Sequence, residues 1–256
     1  MDITLDELLA GKATSIKEKN FFKTEAYVTP FLEKTHNIVD HYDVHVVLPT
    51  QYTITDNDGI DINDITYNRC WIEGILKPEY DFDGHNGVIS MVYGIDTKKP
   101  VAKFYKGAIR SACTNLCVFN PEMLRIQEME SNKTLNYNSL DEIINYTDDI
   151  QAWIKKLINT PFITSDLNEC LGRWIRRTID LDFNKGFGKV KVSPNDVINA
   201  YKDLFVDKKS DYYVEINTDT SMFNVYNALT QQITDNKRDI MNRADKTLLI
   251  KSILDF

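Results

Sequence analysis

Apolar residues recur every second position over one stretch of this chain and every three to four over another, and that change of period limits the folds open to it. From residue 43 to 106 the period is two. "DVHVVLPTQYTIT" alternates like a strand, "DNDG" is a turn signal, and "ITYNRCWIEGILK" alternates again. "VISMVYGI" and "VAKFY" follow, each after a short polar turn. These segments predict an antiparallel sheet of four or more strands. After Gly107 the period becomes helical. Ile109, Ala112, Cys113 and Leu116 fall at i, i+3, i+4 and i+7. Asn120 and Pro121 read as the cap and first position of a helix through "NPEMLRIQEM". "NSLDEIINYTDDIQAWIKKLINT" reads as one long amphipathic helix. "TSDLNECLGRWIRRTID" reads as another, with Leu167, Cys170, Leu171, Trp174 and Ile175 as its apolar face. Ser193 and Pro194 open a helix, and the segment from Thr220 to Leu254 closes the chain as one or two more. A β-rich half followed by a helical half predicts an α+β fold: an N-terminal antiparallel sheet packed with helices from the C-terminal half.

The first 40 residues stand outside this scheme. Thr4 reads as an N-cap, Gly11 as a helix stop and Pro30 as the start of a further helical turn. The expected organisation is a helical N-terminal arm over 1–40 and a single α+β domain over 41–256, β-rich over 41–106 and helical over 107–256. With 256 residues, 43% of them hydrophobic, the chain can bury a sizeable core. No apolar run approaches the length of a membrane span, and the first residues lack the apolar core of a signal peptide. The four cysteines are scattered, and only Cys113 and Cys117 lie near each other, which predicts reduced, mostly buried thiols in a cytosolic protein.

The net charge of −8 argues against bulk attraction to nucleic acid or anionic lipid, but basic residues concentrate locally. Lys103, Lys106 and Arg110 share a face if a helix begins early, with Tyr105 beside them. Basic side chains next to a ring suit a phosphate backbone and a stacked base. Arg173, Arg176 and Arg177 form a second group, partly balanced by i, i+4 pairs of Glu169 with Arg173 and of Arg176 with Asp180. Lys185, Phe187 and Lys189 follow in "KGFGKVKV". That octapeptide resembles the core strand of RNA-recognition motifs, yet Lys189 and Val192 stand where rings are expected, and helices precede it. A glycine-rich turn with Phe187 as a stacking residue is the better reading. His41, Asp43 and His45 alternate along one side of a strand and are the candidate metal ligands. The chain holds no phosphate-binding P-loop, nucleophile elbow or H-E-x-x-H motif, so neither a catalytic residue nor a cofactor is expected.

Two blocks carry a resemblance. "AKFYKGAIRSACTNLCVFNP" contains Cys113, Thr114, Asn115 and Leu116, and "TDTSMFNVYNALTQQITDNKR" contains Phe223, Tyr226, Asn227, Ala228, Leu229 and Thr230. Together they resemble a phage- and plasmid-associated family of unknown function. The resemblance implies a mobile-element origin and residence in the host cytoplasm or the virion. With the basic clusters, it leads to the expectation of a phage-encoded, non-enzymatic protein that binds single-stranded DNA during replication or recombination. The alternative is a protein-interaction role, as a virion component or an inhibitor of a host defence protein, which the acidic surface favours. Both leave a homo-oligomer open. Asn115 and Asn227, if buried, are expected to tie the two blocks together through amide hydrogen bonds.

Overall fold

The computed structural model of the chain describes residues 1–17, 20–22, 24–48, 65–81, 85–96, 99–110, 115–118, 120–129, 135–146, 150–164, 167–180, 190–216, 218–234 and 237–254. Contacts divide the chain into two compact units. The first comprises Met1–Asp81, Gly87–Lys106 and Glu122–Tyr146. The second comprises Phe82–Asn86, Gly107–Pro121 and Thr147–Phe256. The division does not follow the expected boundary at residue 40.

The N-terminal segment is not an arm. Thr4 caps α1 (Leu5–Glu7) in a capping box, in which the Glu7 amide donates to the Thr4 hydroxyl at 3.2 Å and the Thr4 amide to the Glu7 carboxylate at 2.8 Å. A π-turn over Leu8–Lys12 replaces the expected stop at Gly11. Strands β1 (Ala13–Lys17) and β2 (Asn20–Phe22) pair antiparallel, and β1 also pairs parallel with β4 (Ile65–Tyr67). The next helix, α2, runs over Thr24–Thr35, so Pro30 lies inside it rather than at its start. Leu8, Val28 and Phe31 are fully buried in the core of the first unit. That burial is what turns an expected appendage into part of the fold.

The main sheet has six strands, all antiparallel in the registers described. Its order is β3 (Val39–Val47), β5 (Arg69–Leu76), β6 (His85–Asp96), β7 (Lys99–Arg110) and β8 (Leu116–Cys117), with β9 (Leu124–Glu128) also pairing β7. The expected α+β class and antiparallel sheet are both present. Val44, Val46, Cys70, Ile72, Ile89, Met91, Tyr93, Ala102 and Phe104 share one face and build the core of the first unit with α2 and α3 (Asn138–Ile144). Tyr67 and Tyr93 share a hydroxyl–hydroxyl hydrogen bond there, and the Thr24 hydroxyl bonds Tyr67 at 3.0 Å. Gly94 has φ +145°, and a Cβ on it would stand 2.2 Å from the Asn68 carbonyl oxygen.

The strand expected over "VAKFY" is present, but the helix expected after Gly107 is not: β7 continues as a strand through Arg110. Its second half lies in the second unit, where Ala108 pairs Cys117 and Ile109 pairs Leu116. Gly107 allows that pairing, since a Cβ there would come within 2.5 Å of the Cys117 carbonyl oxygen. The helix expected from Pro121 is a single 3-10 turn, Pro121–Met123, followed by β9. The expected long helix after Asn138 is two: α3, and α4 (Ile150–Asn159) of the second unit.

The second unit is mainly helical. It contains α4, β10 (Pro161–Phe162), α5 (Leu167–Asp180), α6 (Pro194–Phe205), β11 (Thr220–Ser221), α7 (Met222–Thr234) and α8 (Arg243–Leu254). Ser193 caps α6 in a capping box with Asp196, as its sequence predicts. Helix α7 is the interior element, with every residue from Val225 to Thr230 buried. The ring of Phe162 packs on Trp174 of α5 and on Phe205 of α6. Trp153 of α4 carries two ammonium groups over its ring, Lys251 of α8 at 3.4 Å and Lys156 at 5.3 Å.

Candidate functional site

Strand geometry disperses the first basic cluster. On β7 alternate residues point to opposite faces. Ala102 and Phe104 face the core, so Lys103 and Tyr105 lie on the other face, where they are 2% and 1% exposed. Neither presents a surface to a nucleic acid. Glu73 and Ser90, opposite each other in the β5–β6 register, share that face and are also buried. Lys106 is half-buried, and its ammonium donates to the Ile144 and Tyr146 carbonyls, each at 3.1 Å. Burial pushes its pKa below the usual lysine value. Arg110 is half-buried at the end of β7.

The second basic cluster lies on α5, where Cys170, Trp174 and Thr178 face inward. Arg173 and Arg176 are exposed. Arg177 is half-buried and donates to the Ile253 carbonyl at 2.8 Å, so it ties α5 to α8. The expected i, i+4 pair of Arg176 with Asp180 forms at 3.4 Å, with both side chains exposed. Of the first cluster Lys103, Tyr105 and Lys106 belong to the first unit, while Arg110 and the α5 arginines belong to the second. Lys185, Phe187 and Lys189 lie outside the described residues.

The strand triad does not form a metal centre. His41 is exposed and bonds the adjacent Asp40 carboxylate at 3.0 Å, whereas His45 is buried and donates to Asp2 at 2.5 Å. The two imidazoles, four positions apart on an extended strand, are each held by a different carboxylate. Among the described residues no group of three His, Cys, Asp or Glu side chains could hold a metal ion.

The two blocks that carry the family resemblance meet inside the second unit. Asn115 is fully buried, and its amide donates to the Asn227 backbone carbonyl at 3.0 Å and to the Tyr212 hydroxyl at 2.9 Å. Tyr212 donates in turn to Gln231 at 3.2 Å. The Leu116 amide donates to the Thr234 hydroxyl at 3.3 Å. The expected amide tie between the blocks is thus present, and it joins the β8 segment to α7. Its depth makes it a packing device rather than a surface for a partner.

Periodicity did not point to the apolar surface of the second unit. Ile163 and Val206 are 65% and 62% exposed, and Ile158 and Ile216 are exposed as well. The segments of Ile163, Val206 and Ile216 meet at the C-terminal end of α6. Phe162 stacks on Phe205, placing Ile163 beside one ring and Val206 beside the other. The Val214 amide donates to the Leu204 carbonyl at 2.7 Å and brings in the segment that holds Ile216. For two of the four, the sequence signal was a buried aromatic neighbour: Phe162 before Ile163 and Phe205 before Val206.

Charge is divided between the units. The first holds twenty-one acidic and thirteen basic side chains, which accounts for the whole net charge of −8. The second holds seventeen of each. No helix of the described residues is long and apolar enough to cross a membrane. Compared with family models, with curated proteins and with solved structures, the chain matches none of them.

Proposed function

We propose that this is an interaction protein whose second unit docks a partner protein through the apolar surface at the C-terminal end of α6. The exposure of Ile163 and Val206, with that of Ile216 on a segment bonded to the same helix end, carries this reading. Branched aliphatic side chains from neighbouring segments, left in water together, gain free energy when a partner covers them. The partner is a protein of phage or host origin. The test is affinity purification of wild type, I163D and V206D from infected cells, followed by reconstitution of any recovered complex from purified components. The expected result is one protein held in fixed stoichiometry by wild type and lost by both variants. Equal retention by all three, with the variants folded, overturns the reading.

A second reading is supported by the exposure of Arg173 and Arg176 in a unit that carries no net negative charge. On this reading α5 contacts the phosphates of single-stranded DNA. Titration of a labelled oligonucleotide at two salt concentrations decides it. Binding that weakens with salt, and weakens again in the R173A/R176A variant, supports it. No binding at low salt, or binding without a salt slope, removes it.

A further inference from the structure

The outermost stripe of α5 is formed by Glu169, Gly172, Arg176 and Ile179, spaced i, i+3, i+7 and i+10 opposite the buried Cys170, Trp174 and Thr178. Gly172 needs explanation. Glycine is the poorest helix former after proline, and a Cβ at this position would meet nothing within 4 Å. The fold of the unit therefore has no use for a glycine there. A bare backbone patch in the middle of an exposed helix is useful where another helix must come close. Ile179, at the end of the stripe, is 66% exposed.

The charges say which helix would fit. Glu169 and Arg176 stand on either side of the point between Gly172 and Arg173, at equal distances along the helix. If a second α5 lies antiparallel across that point, Glu169 of each copy faces Arg176 of the other, and the two glycines lie at the crossing. Such an arrangement is isologous, so one self-complementary pattern satisfies both copies at once. Arg176 is free to turn toward a new partner at little cost, since its present pair with Asp180 is solvent-exposed and such pairs are weak.

We propose that the outer face of α5 pairs with the same face of a second copy of this chain, antiparallel about a twofold axis beside Gly172, with reciprocal Glu169–Arg176 ion pairs. The contact does not rest on the partner reading above, which uses Ile163 and Val206. A helix of this length extends about 21 Å, so the contact lies at the small end of specific interfaces and the dimer is weak.

Sedimentation velocity of the full chain over a wide concentration range, at low and at high salt, tests the proposal. The expected result is a monomer–dimer equilibrium that weakens with salt. Each of G172L, E169R and R176E raises the dissociation constant about tenfold or more, and the double variant E169R/R176E brings it back to within about threefold of wild type. Thermal melts establish that each variant is folded, and R176K, which keeps the charge, dimerises like wild type. A wild type that stays monomeric throughout overturns the proposal. So does a dimer indifferent to G172L, or a double variant no better than the singles.

Discussion

The Cys70 thiol sits fully buried beside the Tyr67 and Tyr93 hydroxyls, and burial pushes its pKa up from the ordinary value of 9.0 to about 12. Burial raises Tyr93 and Tyr226 in the same direction. Below pH 9 folded and unfolded chains both keep the Cys70 proton, so the shift leaves stability unchanged. Between about 9 and 12 only the unfolded chain releases it, and stability falls as pH rises. Urea denaturation at pH 8 and pH 10 is expected to show that loss, with a smaller difference in C70A. Asn115 and Asn227 offer a contrast of a different kind. Asn115 donates two hydrogen bonds through its side-chain amide, whereas Asn227 takes part through its backbone carbonyl, and the buried side-chain oxygens of both have no partner among the described residues. Replacing Asn115 by alanine is expected to destabilise the fold by about 2–3 kcal/mol, because it strips donors from buried acceptors. Replacing Asn227 by leucine is expected to cost less than about 1 kcal/mol or to stabilise. Chemical denaturation of the two variants checks the order. The tie itself was legible, since buried amides require partners. The burial of Lys103 and Tyr105 was not, because their burial depends on what covers the second sheet face.

Two helix starts were readable, at Thr4 and Ser193, because each cap satisfies its own backbone locally, whereas the ends expected at Gly11, Pro30 and Pro121 were not. Ser193 and Asp196 form a capping box at α6, and S193A is expected to lower stability by about 1 kcal/mol, read from the midpoint of thermal or urea unfolding. The α5 helix was legible too, because its apolar spacing and the local Arg176–Asp180 pair need nothing from elsewhere in the chain. The end of strand β7, after Gly107, was misread for a physical reason. The apolar residues from Ile109 to Leu116 fall at i, i+3, i+4 and i+7, which suits a helix, while the pairing of β7 with β8 and β9 is set by residues seven to twenty-seven positions downstream. The break between α3 and α4 was missed because a single apolar period runs through both, and the pattern cannot tell one long helix from two that belong to different units. The exposed residues at the end of α6 were invisible for the same non-local cause. Nothing in Phe205–Val206 says which of the two side chains will be covered.

The two units are interleaved along the chain, and this governs how the molecule can be cut. Residues 82–86 and 107–121 of the second unit are supplied from within the sequence of the first. A fragment spanning 147–256 lacks Asn115 and Leu116, and with them the partners of Tyr212, Asn227 and Thr234. It is expected to lack a cooperative thermal transition, whereas the full chain unfolds cooperatively. Calorimetry of the two checks this. Only part of this organisation could be read from sequence. The change of period at Gly107 was visible, but the return of β9 and α3 to the first unit was not, since it depends on strand pairing across the chain. Trp153 gives a way to watch one unit alone. Trp71 belongs to the first unit, Trp153 and Trp174 to the second. With the other two indoles replaced by phenylalanine, the emission of Trp153 reports the local field of the Lys251 and Lys156 ammonium groups. The departure of α8 from α4 then registers as a spectral shift without any added dye.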